Sequence, residues 1–307
     1  MPIPAIAPGK KGAWSIAAVE RETGLAKDTL RVWERRYGFP APLRDAFDER
    51  LYPQAQVEKL KVIRRLMARG HRPGKVVPLD IDALQRLAAE ADADAPEPQP
   101  APAVAAALDL LATHRIGDLR RAFGQAISRD GLGRFVLEIA APMACAVGER
   151  WMRGALAVFE EHLFTESLTA ALRNAIAGVP QSAAGPRILM TTFPDEQHGL
   201  GLLMAEAMLA LEGAHCVSLG VETPIGDIPR AAAAQDADIV ALSFSLAYPV
   251  PQAVAGLTEL RRGLDTRIEV WVGGGSTMLA RRLPEGVVAT RELATIGAAV
   301  LRWRAAR

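Results

Sequence analysis

The 307-residue sequence predicts a multidomain protein in which helical regions precede a doubly wound parallel α/β domain. Short helical segments come before a proline-rich stretch, and only helical segments follow it as far as residue 178. From Arg187 onward, apolar strand-like runs alternate with helices, as in a parallel sheet with helices on both faces. A chain of this length has room for two or three domains.

The first predicted domain, residues 1–78, is a basic winged helix-turn-helix. Residues 1–75 contain 16 Lys or Arg against 8 Asp or Glu, whereas the rest of the chain is net acidic. Two short helices meet at a turn beside Gly24, and the second places Arg31 and Arg35 on one face, an arrangement suited to the DNA major groove. The segment "PLRDAFDERLY" follows as a candidate wing. Charge alone also fits a solvated basic face. The predicted DNA-contacting residues are Thr29, Arg31, Arg35, Arg36, Tyr37, Arg44, Arg50 and Tyr52.

The middle of the chain is predicted to be a linker followed by a helical bundle. Residues 79–103 form the linker, whose prolines at 96, 98, 100 and 102 favour an extended spacer. Residues 104–180 read as four helical segments broken at "HRIGD", "RDGLG" and "RGAL". That spacing predicts a four-helix bundle.

The last predicted domain, residues 185–307, has five strand-like runs: "RILMTTF", "HCVSLG", "DIVALSFS", "RIEVWVGG" and "VVAT". Ligands of such sheets bind beyond the carboxyl ends of the strands, and His198 follows the first strand directly. Glu196 is placed to hydrogen-bond one imidazole nitrogen, and Gly199 and Gly201 let a bulky ligand approach the backbone. No second histidine or cysteine stands at zinc-like spacing, so a metal here must bring most of its own ligands.

Composition favours a reducing, cytoplasmic setting. The two cysteines, Cys145 and Cys216, show no pairing pattern. The N-terminus lacks the apolar core of a signal peptide, and no run is long and uncharged enough to span a membrane. We find no catalytic dyad or nucleophile elbow, so the sequence predicts no enzyme activity.

The head resembles the MerR family of transcription regulators from about Trp14 to Gly70. The resemblance rests on "TG…TLRxWERRYG" and on Arg44, Arg50 and Tyr52 at matching spacing. It implies a dimer that binds double-stranded operator DNA. Family wings usually turn on glycine where this chain has Asp48, which tolerates turn conformations but adds negative charge near DNA. The long dimerising coiled coil of many relatives is replaced by the proline linker, so oligomerisation is expected from the downstream domains.

The C-terminal residues 187–304 resemble a cobalamin-binding domain of Rossmann-like, flavodoxin-like fold. The resemblance rests on "EQHGLG", "SFSL" and the Gly-Gly pair, in that order. It implies that His198 is the lower axial ligand of cobalt, supported by Glu196 and Gly201. The nucleotide tail of the cofactor would then lie in a slot lined by Ser243, Ser245, Gly273 and Gly274.

The spacing Trp-x9-Glu-His at Trp151, Glu161 and His162 resembles that of the CarH/LitR-like light-dependent repressors. The resemblance implies that the bundle covers the upper face of adenosylcobalamin, with Trp151 shielding the adenosyl group and Glu161 and His162 contacting the adenosine. It also implies a homotetramer bound to operator DNA in the dark and a monomer or dimer after illumination. Met152 stands where the best-described members have histidine, and a thioether is a weak ligand for Co(III), so this residue does not favour a two-histidine photoproduct.

Three alternatives stay open. The first is a regulator that senses cobalamin or another tetrapyrrole without light, which Met152 allows. The second is a corrinoid methyl-transfer protein, which has no need of a DNA-binding head. The third is a regulator that binds only other proteins, which the intact motif around His198 disfavours.

Overall fold

A computed structural model describes residues 13–45, 47–68, 70–93, 100–152, 155–180, 185–246, 248–290 and 292–306. The chain divides into two compact units, Met1–Gln99 with Val147–Glu161 and Pro100–Ala146 with His162–Arg307. Within the described ranges, every helix is too short or too polar to cross a membrane.

The head contains a helix-turn-helix and a small antiparallel sheet. Its helices are α1 (Ile16–Thr23), α2 (Lys27–Tyr37), α3 (Gln54–Ala68), α4 (Pro73–Val76) and α5 (Ile81–Ala93). Its strands are β1 (Ala13–Ser15), β2 (Leu43–Arg44) and β3 (Arg50–Pro53), in the order β1-β3-β2. The Ser15 hydroxyl accepts the Ala18 N–H and caps α1, and the helices α1 and α2 end on Gly24 and Gly38, both left-handed. The predicted helix-turn-helix is confirmed, while β1 was not predicted.

The predicted wing is the hairpin of β2 and β3. Its turn is organised by the Asp45 carboxylate, which accepts the backbone N–H groups of Phe47 and Glu49. Asp48 has a φ of +61°, in the left-handed region. The position where relatives use glycine therefore does require a glycine-like conformation, and aspartate adopts it at some cost in free energy.

The region predicted as a linker, residues 79–103, is partly helical. The helix α5 packs on α3, and its Leu84 and Ala88 are buried in the core of the head. A further helix begins at Pro102, because the first turn of a helix tolerates a residue without an N–H. Residues 94–99 lie outside the described ranges. The predicted linker was therefore too long. The nearby prolines led us to include α5 in it, although Leu84 and Ala88 form an i, i+4 apolar pair typical of a packed helix.

The segment predicted as a bundle is helical throughout most of its described residues. Its helices are α6 (Pro102–Ala112), α7 (Ile116–Asp130), α8 (Leu132–Phe135), which continues through a π turn (Val136–Ala140) into α9 (Ala141–Met152), and α10 (Val158–Ala177). The π turn, in which Ala141 N–H bonds the carbonyl of Val136, comes just before Pro142. Proline has no N–H for the carbonyl four residues earlier, which explains the wider turn.

The C-terminal part is a five-stranded parallel sheet, as the sequence predicts, and its strand order is β5-β4-β6-β7-β8. The strands are β4 (Arg187–Thr191), β5 (His215–Ser218), β6 (Ile239–Phe244), β7 (Glu269–Gly274) and β8 (Val287–Ala289). The helices are α11 (Leu200–Leu211), α12 (Ile228–Ala234), α13 (Val250–Gly263), α14 (Thr277–Ala280) and α15 (Ile296–Ala305). Apolar cores cover both sheet faces, and every residue of β6 is buried, which accounts for its uninterrupted apolar sequence.

Candidate cobalamin site and nucleic-acid interface

His198 lies in the loop between β4 and α11, at the carboxyl edge of the sheet. The chain enters the sheet at β4, adds β5 on one side and then returns to add β6 on the other side. The carboxyl ends of β4 and β6 therefore form the topological switch point, where open α/β sheets bind ligands. The sequence-based position of His198 at this edge is confirmed.

A buried carboxylate fixes the His198 side chain. The Glu196 Oε1 atom lies 2.6 Å from His198 Nδ1 and accepts the His198 backbone N–H at 3.1 Å, while Oε2 accepts the Ser245 backbone N–H at 2.7 Å. Burial alone would raise the pKa of the Glu196 carboxyl, but the hydrogen bonds from His198 and Ser245 outweigh it and lower that pKa. Glu196 is therefore ionised at neutral pH.

This pair prepares His198 as a metal ligand. Because a carboxylate only accepts hydrogen bonds, the proton of a neutral imidazole resides on Nδ1, and the lone pair is on Nε2. The His198 side chain is 67% exposed, whereas that of Glu196 is 1% exposed. The structure thus fixes the imidazole through Nδ1 while most of the side chain is exposed, which fits a lower cobalt ligand.

Glycines allow the chain to pack closely at the strand ends. A Cβ on Gly201 would lie 3.1 Å from the Ser243 hydroxyl, and one on Gly274, where φ is +121°, would lie 1.9 Å from the Phe244 carbonyl oxygen. The predicted slot residues Gly273 and Gly274 line a cavity of about 10 Å³ between β7 and α14. That volume holds about one water, so a nucleotide tail enters only if these walls part.

Two residues that sequence reasoning missed also hold the His198 loop. Thr192, which is fully buried, donates its hydroxyl to the Glu196 carbonyl at 2.6 Å and accepts the Glu222 N–H at 2.9 Å. The Tyr248 hydroxyl donates to the Pro194 carbonyl at 3.1 Å. In the part of the chain that the structure describes, no group of three or more His, Cys, Asp or Glu side chains is arranged to hold a metal.

The residues predicted for the upper face of the cofactor lie at the ends of two helices. Trp151 and Met152 end α9, and Glu161 and His162 lie in the first turns of α10. Trp151 and Glu161 belong to the first compact unit and His162 to the second. Their joint contact with a cofactor therefore stays a prediction.

On the head, α2 presents the expected basic surface. Arg31, Arg35 and Arg36 are exposed, and Thr29 is half-buried. The Arg31 guanidinium pairs with Asp28 at 3.0 Å, and that of Arg36 lies 5.3 Å from the centre of the Tyr37 ring. An exposed Asp28–Arg31 pair is weak, so phosphate can replace the carboxylate.

The wing arginines contact carboxylates of the chain itself. Arg50 Nε donates to Glu34 Oε2 at 2.8 Å, joining β3 to α2, and this hydrogen bond raises the pKa of the Arg50 guanidinium. Arg44 donates to the Asp48 carbonyl at 2.7 Å and pairs with its carboxylate at 3.2 Å. Arg50 therefore sets the position of the wing on the recognition helix α2.

Tyr52 does not fit its predicted role as a phosphate contact. Its side chain has no exposed area and belongs to the core of the head, on the β3 face that it shares with Arg50. Its buried hydroxyl has no hydrogen-bond partner among the described residues. The prediction was wrong in this structure because the alternation of β3 turns residue 52 inward.

A basic winged helix-turn-helix and an α/β domain with a prepared histidine define a ligand-responsive transcription regulator. Residues 14–77 match the family model for the MerR HTH family regulatory protein, and residues 186–297 match that for the B12 binding domain. The chain belongs to the family of CarH, the MerR-type transcription regulators that carry a cobalamin-binding domain.

Two Myxococcus xanthus proteins show this relationship. The HTH-type transcriptional repressor CarH is 31% identical over 260 residues, covering 82% of this chain and 86% of CarH. The repressor CarA is 29% identical over 84% of this chain and 85% of its own. The Methanosarcina barkeri monomethylamine corrinoid protein shares the fold over 64% of this chain and 95% of its own, with a TM-score of 0.53 and 14% identity. The predictions of a MerR-type DNA-binding head and a cobalamin-binding domain are confirmed.

Proposed function

We propose that this protein is an adenosylcobalamin-dependent, light-responsive repressor whose oligomer binds operator DNA in the dark and releases it in the light. The observation that carries the proposal is the Glu196–His198 pair, in which a buried carboxylate holds Nδ1 of an exposed imidazole at the switch point of the sheet. The membership of the CarH family supports the repressor role, because CarH and CarA are both named as transcriptional repressors.

The chain's own residues define how the cofactor would be held. His198 Nε2 would ligate cobalt, and Glu196 would keep the imidazole in the required tautomer. Gly201 and Gly274, which lie against Ser243 and Phe244, would border the nucleotide tail once these walls part. When bound, adenosylcobalamin supplies a Co–C bond that visible light breaks. Trp151, Glu161 and His162 are proposed to contact the adenosyl side.

Assembly then controls DNA binding through the number of linked heads. A cofactor that binds the assembled state more tightly shifts the population toward it. In a dark tetramer more heads are linked than in a lit dimer, and a lit monomer has a single head, so the gain from effective concentration at neighbouring operator sites falls on dissociation. Loss of assembly therefore lowers DNA affinity without any change in Arg31 or Arg35.

Size-exclusion chromatography with adenosylcobalamin, in the dark and after green illumination, tests the proposal. We expect a larger species in the dark that dissociates in the light, and loss of dark assembly in His198→Ala. Arg35→Ala should bind operator DNA more weakly while it keeps the wild-type cobalamin spectrum. A protein that binds adenosylcobalamin but keeps the same size and absorbance after illumination contradicts the light response.

A regulator that senses cobalamin without light is the second candidate. Met152 favours it, because the residue beside Trp151 lacks the imidazole that would capture cobalt after loss of the adenosyl group. In that case, operator affinity should follow the cobalamin concentration equally in dark and light.

A further inference from the structure

The loop that carries His198 begins with a tight turn whose conformation is unusual for its sequence. Pro194 and Asp195 are the central residues of a β-turn closed by the Glu196 N–H, which donates to the Phe193 carbonyl at 3.1 Å. Proline at the second position and a φ of +66° at Asp195 are typical of a type II turn. That third position usually has glycine, because a side chain disfavours positive φ.

Types I and II differ mainly in the direction of the central peptide, here the one between Pro194 and Asp195. In the type II turn, the Pro194 carbonyl has no partner within the turn. Instead it accepts the Tyr248 hydroxyl at 3.1 Å. Because Asp195 intrinsically prefers negative φ, an external hydrogen bond to this carbonyl favours the observed orientation over the flipped one.

Tyr248 is itself well fixed. It is 7% exposed, and its ring lies 5.1 Å from that of Phe244, which in turn contacts Phe193 edge-on at 5.3 Å. The backbone N–H of Tyr248 donates to the Ser245 carbonyl at 3.3 Å. Gln252 Nε2 reaches the Asp195 carboxylate at 3.5 Å. A rigid aromatic group thus positions the hydroxyl under the turn.

We propose that Tyr248 is a positioning residue for the cobalt ligand: its hydroxyl holds the 194–195 peptide in the type II orientation and so sets the position of Glu196 and His198. The inference rests on the proposed cobalamin binding. A flipped peptide would move the backbone of Glu196, whose carboxylate oxygens bond both His198 and Ser245. The expected defect is therefore in ligation of cobalt rather than in folding of the sheet.

Tyr248→Phe in the full chain tests this, with adenosylcobalamin bound in the dark as the probe. We expect affinity to fall by up to about tenfold, the low end of the range for losing a direct partner of a metal ligand, because Tyr248 acts on His198 only through Pro194 and Glu196. The bound cofactor should also show a larger fraction without imidazole coordination in its visible spectrum. Tyr52→Phe is the matched control, because it removes a buried hydroxyl that has no hydrogen-bond partner among the described residues. It should bind like wild type.

Asp195→Gly provides the rescue. Glycine adopts positive φ without strain, so Tyr248→Phe/Asp195→Gly should recover both the affinity and the spectrum. The inference is overturned if Tyr248→Phe has wild-type affinity and a wild-type spectrum. It is also overturned if Tyr248→Phe loses affinity with an unchanged spectrum and Asp195→Gly does not restore that affinity. If Tyr248→Phe fails to fold, Asp195→Gly alone must bind at least as tightly as wild type, and weaker binding overturns the inference. If wild-type protein binds no cobalamin, the proposed function fails and this inference fails with it.

Discussion

Replacing Glu196 by glutamine is the sharpest test of the lower-ligand site, because the change keeps the shape of the side chain and alters its hydrogen bonding. The carboxylate accepts three N–H groups: Nδ1–H and the backbone N–H of His198 on one oxygen, and the Ser245 N–H on the other. Glutamine has one acceptor oxygen and one NH2 donor. In either orientation of its amide, one backbone N–H faces another donor.

The magnitude follows from the burial of this group. Glu196 is 1% exposed, so water does not replace the missing acceptor. A buried unsatisfied donor costs about 1–3 kcal/mol, and we expect Glu196→Gln to destabilise the loop and adjoining strands by about 2 kcal/mol. If the amide NH2 faces His198, it stabilises the tautomer with a proton on Nε2, which cannot ligate cobalt. Cobalamin affinity should therefore fall by about 10- to 100-fold.

Hydrogen exchange of the β4 and β6 amides measures the loss of local stability, and a titration with adenosylcobalamin in the dark measures the loss of cofactor affinity. Gln197→Ala is the control, since this neighbouring side chain is exposed and its contact with Glu222 is a long one, at 3.4 Å. A Glu196→Gln protein with wild-type exchange rates and wild-type affinity refutes the reasoning.

The same carboxylate predicts a pH dependence with a defined sign. Its pKa is lowered in the folded protein from an ordinary value of 4.5. The ionised carboxylate therefore contributes fully to the free energy of unfolding above pH 4.5. This contribution is lost as the pH falls through the lowered native pKa, where the folded carboxylate becomes protonated. Because glutamine does not titrate, the stability difference between wild type and Glu196→Gln should narrow over that acid range. A difference that stays constant contradicts the assignment.

Two further predictions concern the glycine pair at the end of β7 and the wing. Gly274→Ala places a Cβ 1.9 Å from the Phe244 carbonyl oxygen at a φ of +121°, whereas the Cβ of Gly273→Ala would have its nearest contact at 3.4 Å. Gly274→Ala should therefore lower the midpoint of thermal unfolding far more than Gly273→Ala. Equal midpoints for the two variants contradict this packing. Arg50→Ala leaves Glu34 without its partner and frees the wing from α2, so operator affinity should fall while cobalamin binding is unchanged. If Glu34→Gln, which weakens the same pair from the other side, leaves operator affinity unaffected, a direct contact between Arg50 and phosphate explains the Arg50→Ala result better.

The sheet was predictable because buried parallel strands require continuous apolar sequences, which β4 and β6 have. Short or marginal elements were not. The strand β1 has three residues and no detectable alternation. The helix α5 carries a clear apolar pair, Leu84 and Ala88, but its composition merges into the prolines that follow. Local composition thus indicated the main elements more accurately than the residues at which short elements begin and end.

At the site, sequence placed His198 and Glu196 correctly because both lie within one short motif beside a strand end. It could not find Tyr248, which reaches Pro194 across 54 residues through a fold that no local pattern encodes. The Tyr52 assignment failed for the opposite reason. The residue matches a family spacing, but the inward face of β3 buries it.

The contacts that hold His198 limit what this residue can contribute to the proposed change of assembly. The Glu196 carboxylate holds His198 and the Ser245 N–H through contacts within one chain, and none of these three residues belongs to a second chain. A ligand shifts an equilibrium only through a difference in its affinity for the two states, and a shift from 1:99 to 99:1 needs about a 10⁴-fold difference. Contacts that are the same in both states supply none of it.

Under the proposed function, we therefore expect the coupling between cofactor and assembly to come from the residues proposed for the opposite side of the cofactor, among them Trp151. Variants of the His198 loop, such as Glu196→Gln, should raise the adenosylcobalamin concentration needed for dark assembly but leave the extent of assembly at saturation unchanged. Trp151→Ala should do the reverse, lowering the extent at saturation with a smaller effect on occupancy. Sedimentation velocity across a cofactor titration separates the two effects. If Glu196→Gln remains unassembled although its spectrum shows full occupancy, His198 itself carries the signal, and the division of roles between the two sides is wrong.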